Sequence, residues 1–154
     1  MPSTVPAVKA GLRDWLRTQA GLRPADAVLV SGVMLDPTTI TGKTVMLGSV
    51  TAAQTPPVMF PDIREETPTL TGFCVAFAPG TGDEAQDAAR AAAYALFAVL
   101  ESALEADPTA GGVIPGPMKG ALTQADLVEA PGEENMAGTR QAQVRWLLAW
   151  TSDF

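Results

Sequence analysis

Apolar side chains recur at Val8, Leu12, Trp15 and Leu16, the spacing of an amphipathic helix. Ser3 and Thr4 are placed to cap its start, Pro6 suits a first turn and Gly21 can end it. Residues 27–34 (AVLVSGVM) and 43–51 (KTVMLGSVT) are short apolar runs rich in β-branched residues. They predict two strands joined as a hairpin by a loose turn from Asp36 and Pro37 to Gly42. Residues 52–68 hold four prolines and no steady period, which predicts a long irregular connection. A third strand follows at 69–78 (TLTGFCVAFA).

The strongest helical signal lies at 83–106. Ala85, Ala89, Ala92, Leu96, Val99 and Ala103 make one stripe, and Tyr94, Phe97, Leu100 and Leu104 widen it. An arc this broad predicts burial against a sheet on one side and a second contact beside it. Thr81 or Asp83 can cap the start, and Asp107-Pro108 closes the end. Residues 107–118 form another Pro/Gly loop, with an apolar tip at Val113 and Ile114. A strand at 120–130 precedes the loop 131–138. In the last strand Ala142, Val144, Trp146, Leu148 and Trp150 alternate with Gln141, Gln143, Arg145, Leu147 and Ala149, a period of two that no helix produces. Trp146 is expected on its buried face and Arg145 on the other. The order α-β-β-β-α-β-β predicts one α+β domain over residues 1–154, a mostly antiparallel sheet with helices packed on one face.

Composition agrees with a folded chain: 47% of the 154 residues are hydrophobic and 18% charged. The net charge of -7 argues against nucleic-acid binding, which depends on neutralising phosphates. That charge is uneven. Lys9, Arg13, Arg17 and Arg23 face only Asp14 within residues 1–23, whereas the remainder is strongly acidic. A basic first helix on an acidic body could dock copies head to tail, although a solvated helix face would read the same way. No apolar stretch approaches the roughly 20 residues of a membrane span, and no signal-peptide pattern is seen, so a soluble protein made in a reducing cytoplasm is expected.

Candidate chemistry is sparse. The chain has no histidine, which removes the usual general base and any Ser-His-Asp arrangement. Its single cysteine, Cys74, lies in an apolar run and reads as a small buried hydrophobe. Thr41-Gly42-Lys43-Thr44 ends like a phosphate-binding loop, but Pro37 stands where the pattern needs glycine and a strand should follow in place of a helix. Gly80-Thr81-Gly82 serves as a strand-to-helix turn. The pairs Glu65-Glu66 and Glu133-Glu134 read as solvated charge, and the two tryptophans of the last strand as core. No catalytic residue, cofactor site or metal site is expected.

The opening helix VKAGLRDWLRTQ, the strand VMLGSV and the Pro-rich connection ending in EETPTL are followed by TGFCVAFAPG, the Ala-rich helix DEAQDAARAAAYALFAVLESAL and the final strand RQAQVRWLLAW. In order and size this series resembles the tail terminator (tail-completion) proteins of long-tailed bacteriophages, across nearly the whole chain. The resemblance implies a structural virion protein, not an enzyme. It would form a homo-oligomeric ring, typically a hexamer, capping the head-proximal end of the tail tube, ending tube polymerisation and joining the tail to head-neck connector proteins. DNA would be only passing cargo through the lumen, and no membrane would be involved. The alternatives are a head-closure or neck connector protein or, in a different class, a small-molecule-binding α+β domain. Apolar residues on stiff loops make Val58, Met59, Phe60 and Ile63, the adjoining Arg64, and Val113 and Ile114 the candidate subunit or partner interface.

Overall fold

A computed structural model of the chain describes residues 5–35, 42–55, 65–80, 82–114, 121–128 and 139–153. Helix α1 (Val5–Leu16) is followed by a single 3-10 turn (Pro24–Asp26), β1 (Leu29–Ser31), β2 (Thr44–Thr55), β3 (Glu65–Pro79), α2 (Asp83–Ala106), β4 (Ala121–Val128), β5 (Thr139–Ala149) and a two-residue β6 (Ser152–Asp153). The strands form one sheet in the order β1-β2-β3-β5-β4, with β6 pairing β3 beyond the end of β5. The α+β class and the expected order hold. Ser3, Thr4 and Thr81 lie outside the described residues, and Gly82 occupies the cap position before α2, where Asp83 is the first helical residue.

Both helices pack on one sheet face. Val8, Leu12 and Leu16 of α1 are buried, and α1 touches β1 and β2. Helix α2 lies over β3 and β5 and only brushes β4. It buries Ala85, Ala89, Ala93, Leu96, Phe97, Leu100 and Leu104. Ala92 and Val99, expected in the central stripe, are only partly buried. Val99 faces the chain leaving α1, because a Cβ at Gly21 would meet its side chain at 2.9 Å. On the sheet, Val45, Leu47, Leu70, Cys74, Ala76, Val144, Trp146 and Leu148 complete this core. The helix-free face carries a smaller cluster, Met46 and Val75 packed with Leu35, Phe73 and Phe77.

Two sequence expectations are corrected. Strands β1 and β2 do not form a hairpin: they run parallel, Leu29 opposite Thr44 and Ser31 opposite Met46. A parallel pair needs a connection of about a dozen residues, and residues 32–43 supply it. Composition marks the two strands but not their relative direction. β1 stops after three residues because the Ser31 hydroxyl turns back on the chain, donating to the Val33 carbonyl at 2.8 Å and accepting its amide at 3.2 Å. Second, both ends of the stretch 52–68 belong to the ladder, while residues 56–64 lie outside the described residues. Ala52 pairs with Pro68, Ala53 with Thr67, Gln54 with Glu66 and Thr55 with Glu65. The prolines hid it, yet Pro68 still accepts the Trp150 amide through its carbonyl at 3.2 Å, a bond that its missing N–H does not prevent.

Candidate functional site

Of the seven residues singled out as an interface, Val58, Met59, Phe60, Ile63 and Arg64 lie outside the described residues. Val113 and Ile114 do not form an exposed tip. Ile114 is 1% exposed and belongs to the core, and Val113 is partly buried, its side chain lying where a Cβ at Gly11 would go. The segment after α2 folds inward because Asp107 organises it. Its carboxylate accepts the Thr109 hydroxyl at 2.6 Å and the Gly111 amide at 2.7 Å, and these bonds hold its pKa below the usual carboxylate range. Gly111, at φ +70, then passes beneath Trp15, whose ring leaves no room for a side chain there.

Cys74 is fully buried, and desolvation pushes its thiol up to about 12. The indole N–H of Trp146 opposes that shift weakly but makes no well-formed hydrogen bond. A group this far from thiolate at neutral pH is not a nucleophile. An aromatic disulfide reagent should therefore label Cys74 only on unfolding. Because the pKa is raised in the folded state, stability due to the protonated thiol is present below the unfolded value of 9.0 and is lost as pH rises toward about 12. In denaturation experiments above pH 9 the wild type should lose up to about 1.4 kcal/mol per pH unit relative to Cys74→Ala. Parallel pH profiles for the two proteins would show that Cys74 is not buried as described.

Glu66, expected to be solvated, is 1% exposed and sits within β3 between Gln54 of β2 and Ser152 of β6. Its neighbour Glu65 stands opposite Asp153, while Glu133 and Glu134 lie outside the described residues. Trp146 and Trp150 are core, so neither offers a stacking surface. The Gly42-Lys43-Thr44 segment runs directly into β2, and the Thr44 hydroxyl donates to the Gly42 carbonyl at 3.0 Å. The helix N-terminus that a phosphate loop requires is therefore not there. Among the described residues, no group of three or more His, Cys, Asp or Glu is placed to hold a metal ion. No helix of the described residues is long and apolar enough to cross a membrane.

A surface that sequence reasoning missed lies at the β1 edge. A cavity of about 570 Å³ opens there between Arg17, Pro24, residues 27–30, Leu35 and residues 42–44. The Arg17 guanidinium is anchored across it, donating to the Val30 carbonyl at 3.1 and 2.8 Å. Leu29, Val33 and Met34 beside it are 53%, 62% and 51% exposed. Their apolar run reads as strand in the sequence, but Leu29 is the exposed first residue of the edge strand β1 and Val33 and Met34 lie beyond its end. Comparison of the chain with known protein families and with curated proteins finds no match.

Proposed function

We propose that this chain is a ring-forming virion protein of the tail-terminator type, which caps the head-proximal end of a tail tube, ends its polymerisation and carries the joint to the head-neck connectors. What supports the reading is the architecture: one α+β domain, in the order on which the resemblance rests, with both helices on one face of a mostly antiparallel sheet. The chemistry agrees with a structural part. The sole thiol is buried, and Trp146 and Trp150 are packed in the core. An acidic chain (net charge -7) would also line a lumen that lets DNA pass without sticking.

The discriminating experiment adds the purified chain to polymerising tube protein of the same virus, below one chain per tube subunit. Negative-stain images should show tubes that stop short, each with a ring at one end. Sedimentation velocity should show a mass several times that of the 16.0 kDa chain, alone or with tube protein. Tubes of unchanged length and no end-bound density would sink the terminator role.

A further inference from the structure

Five large hydrophobic side chains are exposed among the described residues: Leu29, Val33, Met34, Tyr94 and Leu127. Four of them fall at the two lateral ends of the sheet, and Tyr94 lies on α2. Leu29 lies in β1 at one edge; Val33 and Met34 follow that strand, the Met34 side chain lying against Gly48 of β2. Leu127 lies in β4, at the other edge, opposite the core residue Val144 and therefore on the helix side. It remains 39% exposed because α2 covers β5 and scarcely reaches β4.

Each end has a helix flank on which one sign predominates, although Asp14 pairs with Arg13 at 3.0 Å and Arg17 at 3.9 Å on α1 and Arg90 sits among the acidic residues of α2. On α1, Gly11 and Trp15 point to the segment after α2, so the opposite flank, with Lys9, Arg13 and Arg17, faces outward at the β1 end. Arg13 reaches to Gly32 and Arg17 to Val30, which confirms that direction, and Lys43 is exposed beside them. On α2, Val99 points back toward α1. The far flank then carries Asp83, Asp87, Tyr94, Glu101 and Glu105, spaced by fours and sevens. Of the acidic members only Asp87 has a basic partner among the described residues, Arg90 at 2.7 Å. One end is thus apolar with a basic rim, the other apolar with an acidic rim.

We infer that these two ends dock on each other between copies of this chain, the β1 edge of one subunit against the β4 edge and outer α2 flank of the next. The inference deepens the ring proposal and rests on it. Charge complementarity selects a second copy as the occupant and also sets its orientation. A two-fold dimer would bring like rims together, whereas a head-to-tail contact pairs opposite ones and propagates, giving a ring where the rotation between subunits closes.

The test uses the full chain in four forms: wild type, Glu101→Lys/Glu105→Lys, Lys9→Glu/Lys43→Glu, and the chain carrying all four changes. Circular dichroism melts should be alike, since these side chains lie on the surface. In a sedimentation concentration series each double variant should assemble at least about tenfold more weakly than wild type. The fourfold variant should recover assembly, and so should an equimolar mixture of the two double variants, in which every contact pairs opposite signs. A wild type that assembles while both double variants assemble equally well overturns this interface and leaves the ring proposal standing. A wild type that remains monomeric throughout, with and without tube protein, overturns both.

Discussion

Replacing Trp146 with alanine is expected to destabilise the protein by about 3–5 kcal/mol. The side chain is fully buried and lies in the core between the sheet and α2. The neighbouring Arg145 points to the other face, where its guanidinium meets Asp126 at 2.9 Å, with both side chains well exposed. Such a pair contributes little after solvent screening, so Arg145→Ala should cost less than about 1 kcal/mol. Chemical denaturation followed by far-ultraviolet circular dichroism gives both values without relying on the removed indole. Coincident midpoints would mean that β5 is displaced by one residue, because a single-residue slip exchanges the two faces.

Gly72→Ala should be nearly as damaging for the opposite reason. Gly72 pairs with Trp146 across the β3–β5 ladder, and a Cβ built on it would overlap the indole ring. β3 is held by β2 on one side and β5 on the other, so its backbone cannot easily yield and the ring would have to leave its position. Overpacking of this kind costs about 1–3 kcal/mol. In a Trp146→Phe background the same glycine change should cost clearly less, because a smaller ring frees the space and the two sites are coupled. Equal costs in both backgrounds would show that the glycine is needed for something other than the indole.

The close fit of these two residues shows what was legible in the sequence. The alternation from Ala142 to Trp150 identified both the strand and its buried face, because a period of two has a single structural reading. Helix α2 was equally plain, although its buried face is centred on Ala93, Phe97 and Leu100 and not on the line through Ala92 and Val99. A one-position rotation lies within the breadth of so wide an apolar arc. The parallel pairing of β1 could not be read, since direction depends on the path of residues 32–43 and not on strand composition. The outer pairs of the β2–β3 ladder were hidden by prolines that local propensity counts against a strand.

The candidate site was less legible than the fold. Val113 and Ile114 looked like a sticky tip because an apolar pair between glycines and prolines gives no sign of the Asp107 and Trp15 contacts that turn it inward. The exposed residues at the two sheet ends were scattered over almost 100 positions of sequence, from Leu29 to Leu127. Only strand order brings them into two groups. The charge imbalance of the first 23 residues was visible at once; that it occupies an outward flank follows from how Gly11 and Trp15 are used.

The order of the strands also governs when each end of the subunit comes into being. The β2–β3 ladder closes locally, but β3 meets β5 only through pairs such as Pro79 with Thr139 and Thr69 with Ala149. Contacts so distant along the chain form slowly. Among the described strands β4 pairs only with β5, so it has no seat until the last long strand has arrived, although it is synthesised earlier. A chain can complete its β1 end while β4 at the other end is still unpaired. In the proposed ring it could accept no neighbour on that side until β5 has paired with β3 and given β4 its seat.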